Sequence, residues 1–372
     1  MEIGPPVSMP FDPDQREQER RDFLAGVGWG DALRSPLSQD ASTRRYERLN
    51  LYGTSVLLMD APKSEESPPC PPDADEATRN ALGWNAQSRL ASCRVEAFAA
   101  ISRHLRGLGL SAPAVPAMDM EGGFAIVEDM GDAIFAPIIR EGEDEVSLYR
   151  AAAETLAVVH QAPTPDVLGD GDEAWPILDY DRLALAVNAD LFPNWAPHLV
   201  DGALSDADWV KWERARDALI ALALDYPRAF ILRDYHAENL IWLPRRNGPA
   251  RVGLLDFQDA VNGWPEWDFA MLLQDARREV SVDAHEAAVR AYLDAVGGER
   301  AVFDERLAVL GLLNALRVAG IFSRLIARDG KPRYRDFLPR QLQLLSENLT
   351  HPAVAEMRAF VDEVTPGLRM RA

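Results

Sequence analysis

The chain has 372 residues and a formal net charge of -20, with a sequence pI of about 4.7. An acidic surface of this kind repels nucleic acid and anionic membranes, so neither partner is expected, and the length suits two lobes rather than one core. The two cysteines, Cys70 and Cys93, exclude a disulfide framework and a cysteine metal site, and the opening residues lack a basic-then-apolar export pattern, so a reducing, cytoplasmic setting is expected.

Residues 1–14 are Pro-rich and polar and are expected to be a disordered tail; residues 16–29 open a helix. Residues 42–51 and 54–59 flank the turn signal Tyr52-Gly53 and read as a hairpin approached by Gln39-Asp40-Ala41-Ser42. The small residues Ala41 and Ser42 let backbone amides come close to a phosphate, and Arg44 and Arg45 can supply charge; a solvated edge strand is the competing reading. The second strand carries Met59 beside Asp60 and no cation of its own, so Lys63, Arg45 or Arg48 would have to supply positive charge here. A Pro-rich stretch at 62–75 reads as an exposed insertion. Residues 76–107 are helical in character and include Glu96. Residues 123–129 read as a strand, followed by Met130 and Gly131.

Beyond Gly131 the pattern is largely helical, notably over 147–160, 206–224 and 284–360. Trp175-Pro176 and residues 191–195 interrupt it. These interruptions are the expected sugar-facing loops, with Trp195 stacking on a pyranose and Asn188, Asp190 and Asn194 binding hydroxyls; core packing of the aromatics is the alternative. His160 and His198 have no metal-ligand spacing and read as capping or surface residues.

The chemistry concentrates in Ile231-Leu232-Arg233-Asp234-Tyr235-His236-Ala237-Glu238-Asn239-Leu240 and Gly253-Leu254-Leu255-Asp256-Phe257-Gln258-Asp259. A hydroxyl that is to be phosphorylated needs a carboxylate to orient it and take its proton, which is assigned to Asp234. Five residues on, Asn239 offers a neutral oxygen, and Asp256 an anionic one, both suited to Mg2+. The turn-forming residues 244–249 lie between two apolar runs, so the metal ligands flank a hairpin. His236 is assigned the task of fixing the loop.

These segments resemble the aminoglycoside phosphotransferase and choline kinase-like family of small-molecule kinases. Within it, Arg233-Asp234-Tyr235-His236, Asp256-Phe257-Gln258-Asp259-Ala260 and Leu272 to Arg278 resemble the cell-wall amino-sugar kinases, as do residues 39–46, 58–62 and 128–132. The resemblance implies an α+β, bilobal protein kinase-like fold with a β-rich small lobe at 15–130 and a mainly helical large lobe at 131–372. It implies Mg2+, with ATP or GTP as phosphate donor, and the anomeric hydroxyl of N-acetylmuramate or N-acetylglucosamine as acceptor in peptidoglycan recycling. It also implies that Asp268, with Arg233, holds the catalytic loop from behind, that residues 123–129 are the last strand and hinge of the small lobe, where the backbone of Glu128, Asp129 and Met130 binds a nucleotide base, and that Glu96 loses its usual ion pair because Met59 stands where kinases place a lysine. An aminoglycoside or other small-alcohol kinase remains open, and so does a nucleotide-binding pseudokinase with a regulatory role, which the missing strand lysine suggests.

Overall fold

The computed structural model describes residues 12–37, 43–63, 66–196 and 202–369. The readings of residues 1–11, of Ala41 and Ser42 and of His198 lie outside these. The chain forms two compact units. The first takes in residues up to Ile134 together with Pro165–Leu178 and Leu240–Ala260, so it is not the single stretch 15–130; the second is built from Phe135–Thr164, Asp179–Asn239 and Val261–Ala372.

The first unit is organised by an antiparallel sheet of β1 (Leu33–Pro36), β2 (Arg45–Leu51), β3 (Thr54–Asp60), β4 (Ala117–Asp119) and β5 (Phe124–Glu128), in the order β1-β2-β3-β5-β4. The β2–β3 hairpin pairs Leu51 with Thr54, and its turn residues Tyr52 and Gly53 have φ of 50° and 81°, the left-handed geometry of a two-residue hairpin turn. Leu49, Leu58, Phe124 and Ile126 alternate onto one buried face, which α1 (Pro13–Gly26) covers with Leu24. The helix starts where Asp12 accepts the Asp14 and Gln15 amides at 3.0 and 3.2 Å, with proline in the first turn. From α1, Arg16 and Arg20 reach the buried Asp60 at 2.5 and 2.6 Å. That carboxylate is thus balanced by two cations.

The helical stretch expected over 76–107 is broken into α2 (Glu76–Leu82), α3 (Trp84–Ser88) and α4 (Val95–Gly107). Gly83 at φ 97° separates the first two, and left-handed Arg89 and Ser92 separate α3 from α4. The insertion at 62–75 is not wholly exposed. Cys70 is buried, and the Ser67 carbonyl accepts the Asn85 amide at 2.7 Å and the Ser92 hydroxyl at 2.9 Å. Val167–Leu168 pairs with Trp175–Pro176, making a short ladder of what was expected to be a loop, and Leu240–Trp242 pairs with Val252–Leu254 as the expected hairpin.

The second unit is mainly helical: α5 (Phe135–Arg140), α6 (Glu145–Gln161), α7 (Arg182–Ala189), α8 (Leu191–Trp195), α9 (Asp206–Leu224), α10 (Pro265–Leu273), α11 (Val282–Val296), α12 (Arg300–Ala327), α13 (Leu338–Asn348), α14 (Ala355–Val364) and α15 (Pro366–Arg369). Side chains of Asp144, Ser205 and Ser281 cap α6, α9 and α11 by accepting first-turn amides. α12 runs through the core. It is long and apolar enough to cross a membrane, yet 72% of its most apolar window is buried within the unit, as befits a core helix. At Gly320 a Cβ would lie 2.3 Å from the Leu191 carbonyl carbon, so glycine is what lets α8 lie directly on α12. One ladder, Ala229–Ile231 with Val261–Gly263, delivers the chain to the loop at 232–239 and to α10.

Candidate active site

In the second unit the strand Ala229–Ile231 ends in a reversal at Arg233, whose φ of 70° is costly for a side chain of that size. The reversal turns the amides of Leu232 and Arg233 toward Asp268 in the first turn of α10, and its two oxygens accept them at 2.8 Å each. Asp268 also lies 3.2 Å from His160 Nε2, while His160 Nδ1 is 3.0 Å from the Tyr292 hydroxyl. His160 is therefore not a capping or surface residue: its side chain is buried and bridges α6, α10 and α11. Tyr235 fixes the loop from another side, its hydroxyl donating to the Ala152 carbonyl at 2.9 Å.

This scaffold presents Asp234 half-buried and His236 buried. Asn239 Nδ2 donates to the Asp234 carbonyl at 2.9 Å and lies 3.3 Å from His236 Nε2. With the amide nitrogen held inside the loop, the Asn239 Oδ1 is directed away from it, which suits a neutral ligand for a hard cation. The Asp234 carboxylate is 3.9 Å from Arg317 Nη2, close enough for charge compensation but too far for a hydrogen bond.

Asp234 and His236 form one wall of a cavity of about 110 Å³, room for several water molecules or part of a small polar substrate. Ile321 and Phe322 make it apolar on one side, whereas Asp275, Arg277, Asn314 and Arg317 line it with polar groups. Asp275 is buried; its Oδ1 accepts the Arg277 amide at 2.9 Å, and its Oδ2 has no hydrogen-bond partner among the described residues. Arg317 Nη1 donates to Asn314 Oδ1 at 3.1 Å.

None of the four residues expected to hold a sugar lines this cavity. Asn188 is buried and its amide donates to the Ala184 carbonyl at 2.8 Å. Asp190 accepts Trp212 Nε1 at 2.7 Å and Arg216 Nη1 at 2.8 Å. Asn194 donates to the Asp190 carbonyl at 2.6 Å, and Trp195 lies 6.0 Å from the Arg328 guanidinium. The first two are consumed by helix packing. The motif at 272–278 already contained Asp275 and Arg277, but the α12 residues gave no signal beyond spacings of three and seven along one helix face.

In the first unit, Asp256 follows the strand Val252–Leu254 and has a φ of 54°. Phe257 stacks on Phe98 of α4 at 4.7 Å between ring centroids, and Asp259 accepts the Ala91 amide at 2.6 Å, so the turn is pinned at both ends. Arg44 Nη2 donates to Asp256 Oδ1 at 2.5 Å, and Gln258 Nε2 donates to the same oxygen at 3.0 Å. Burial alone would lower the Arg44 pKa, but Asp256 and further acidic groups outweigh it and raise it above the ordinary arginine value. Among the described residues no group of three or more His, Cys, Asp or Glu is placed to hold a metal. One half-exposed carboxylate nevertheless fits Mg2+, which typically takes one or two carboxylates and completes its shell with water and phosphate oxygens.

Met59 is buried and accepts the Tyr46 hydroxyl at 3.3 Å, so Arg44 is the cation that this unit brings to Asp256. Arg45 lies opposite Asp60 in the β2–β3 ladder. Arg48 is committed to Asp129 and Asp132, at 2.8 and 2.6 Å. Glu96 is buried and paired with Arg94 of its own segment. Burial pushes the Asp129 carboxyl up, but the Ser55 hydroxyl, the Gly131 amide and Arg48 hold it below the usual range. Glu128 already donates its backbone amide to Ala114 at 2.8 Å and so does not offer that donor to a base. The Met130 side chain packs over Gly253, where a Cβ would come within 3.1 Å of it.

Residues 34–305 match the phosphotransferase enzyme family. A curated N-acetylmuramate/N-acetylglucosamine kinase from Caulobacter vibrioides is 47% identical over 95% of this chain and 97% of its own length. A protein of the same name from Pseudomonas aeruginosa is 30% identical over 93% and 94%. Among solved structures, a choline/ethanolamine kinase family protein from Mesorhizobium loti has a TM-score of 0.55 at 17% identity, covering 95% of this chain and 99% of that one. An ADP-bound aminoglycoside phosphotransferase has a TM-score of 0.52 at 15% identity, covering 91% and 99%. The fold is accordingly that of the protein kinase-like small-molecule phosphotransferases, with an amino-terminal antiparallel sheet and a mainly helical remainder. With the match spanning the strands, the catalytic-loop segment and Asp256, the chain belongs to the phosphotransferase enzyme family.

Proposed function

We propose that this protein is a cytoplasmic sugar kinase that moves the terminal phosphate of ATP, or of GTP, onto the anomeric hydroxyl of N-acetylmuramate and N-acetylglucosamine in peptidoglycan recycling. The observation that carries this reading is the 47% identity, along nearly the whole chain, to a relative of that name. The cavity beside Asp234, which joins an apolar wall to polar side chains, supports a small polyhydroxylated acceptor.

In this reading the acceptor hydroxyl donates to Asp234. Its oxygen bonds to the terminal phosphorus as the bond from that phosphorus to the bridging oxygen breaks; the proton passes to Asp234, and the nucleoside diphosphate leaves. Asp256 would offer Mg2+ an anionic oxygen and Asn239 a neutral one, and the ion when bound would neutralise phosphate charge. Arg44, beside Asp256, takes the phosphate-pairing task that a strand lysine performs in other kinases. Arg233 and Asp268 keep the loop in register, and His236 and Asn239 brace it from within.

The buried Met59 at the lysine position favours one other reading, a nucleotide-binding regulator without turnover. Magnesium ATP is offered with N-acetylmuramate, N-acetylglucosamine, glucose, choline and an aminoglycoside, and products are read by mass and phosphorus NMR. Sugar 1-phosphates from the two acetylated sugars alone are the expected result. Transfer to choline or the aminoglycoside instead would replace the acceptor, and nucleotide binding without transfer would favour the regulator.

A further inference from the structure

N-acetylmuramate differs from N-acetylglucosamine by a lactyl ether, and hence by one carboxylate. The cavity beside Asp234 already contains two carboxylates, Asp234 and Asp275, facing two guanidinium groups, Arg277 and Arg317. A third negative charge entering such a space is repelled unless a cation with unspent donors receives it.

The two arginines are not equivalent. Arg317 is 16% exposed, gives Nη1 to Asn314 Oδ1 at 3.1 Å and stands 3.9 Å from Asp234. It is engaged with the group that handles the acceptor hydroxyl, and every acceptor meets it there. Arg277 is 30% exposed, and its guanidinium has one loose approach, 3.7 Å to Asp275 Oδ1. Its side-chain N–H groups make no hydrogen bond among the described residues, whereas its backbone amide is tied to Asp275 at 2.9 Å. The side chain is thus anchored at its root, with its planar donor fork uncommitted, the arrangement that receives a carboxylate in two parallel hydrogen bonds.

We infer that Arg277 recognises the lactyl carboxylate of N-acetylmuramate and so sets the preference between the two sugars. The inference rests on the proposed function and deepens it. Asp275 complements the role: its unpartnered Oδ2 accepts a donor that both sugars carry, an amide N–H or a hydroxyl, and so holds the ring whether or not the acidic arm is present.

The experiment compares kcat/KM of the full-length protein and of Arg277→Met on both sugars and on N-acetylmuramate methyl ester, with magnesium ATP. The expected result is a fall of about 10- to 100-fold in the ratio of N-acetylmuramate to N-acetylglucosamine kcat/KM, carried mainly by KM. Esterification should produce a loss of similar size in the unmodified protein and little further loss in the variant, because both remove one interaction. A ratio unchanged within about twofold overturns the inference while leaving the kinase reading intact. Absence of transfer to either sugar by the unmodified protein overturns both. Arg277→Lys keeps the charge and loses the fork: it should recover part of the ratio, whereas a ratio as low as that of Arg277→Met would show that charge plays no part in the preference.

Discussion

Arg44 Nη2 donates to Asp256 Oδ1 at 2.5 Å, so the acidic group best suited to a phosphate-bound cation is charge-balanced by the protein itself. In the proposed mechanism this pairing would leave Arg44 beside the phosphates once nucleotide and metal are bound. Arg44→Met is expected to raise the KM for ATP about 10- to 100-fold, the value of a lost charge-assisted hydrogen bond, and Arg44→Lys to recover part of it. ATP titrations of initial rate at saturating magnesium and sugar check this; an unchanged KM would assign phosphate pairing to another cation.

Asp234→Asn keeps the shape of the loop and removes the base of the proposed mechanism. Its kcat should fall by about 10²- to 10⁴-fold while equilibrium ATP binding stays within about twofold. Single-turnover formation of the sugar phosphate and calorimetric ATP binding read the two quantities separately. A parallel loss of nucleotide affinity would mean that Asp234 acts through the metal rather than on the acceptor.

Asp268 accepts the Leu232 and Arg233 amides in a buried setting. Replacement by Asn leaves one amide facing another donor, at a cost of about 2–4 kcal/mol, and the unfolding midpoint should fall by roughly 5–10 °C. Because the loop is freed, kcat should drop more than the KM for nucleotide. Calorimetry with steady-state kinetics tests both, and an unaltered midpoint would refute the tether.

Glu17 of α1 is held at about 2, from an ordinary 4.5, chiefly by hydrogen bonds from Arg34 working against burial. Arg34 spans Glu17 and Glu47 at 2.7 and 2.6 Å and so ties the helix to β2. A carboxyl with a lowered folded pKa contributes stability above its unfolded value and loses it as pH falls through the folded one. Arg34→Met should lower the melting midpoint by about 2–4 °C near neutrality. Its difference from the unmodified protein should narrow as pH falls from 4.5 toward 2. Melting curves across that range decide it; a constant difference would point to lost packing alone.

What could be read from the chain was whatever chemistry packs into short spacings. Asp234 and Asn239 lie five residues apart, and Asn239 donates back to the Asp234 carbonyl; the β2–β3 turn was likewise local. His160 was misread because its partners, Asp268 and Tyr292, stand 108 and 132 residues away and no periodicity links them. The neutralisation of Asp60 by Arg16 and Arg20 was hidden for the same reason. The break between α2 and α3 did carry a mark, Gly83, which the apolar periodicity on either side concealed. The cavity beside Asp234 was not legible either: aromatic residues at helix breaks drew attention away from polar side chains on α12, where a mostly buried helix face gives little hint that part of it borders open space.

The left-handed backbone at Asp256 bears on any attempt to improve this protein by directed evolution. Glycine would sit there with less strain, by about 1 kcal/mol, but would remove the carboxylate that Arg44 pairs with. A library screened for heat tolerance alone therefore meets two opposed effects at this position, relieved backbone strain against a lost ion pair, and neither reports on turnover. Screens on this scaffold need turnover as a second gate.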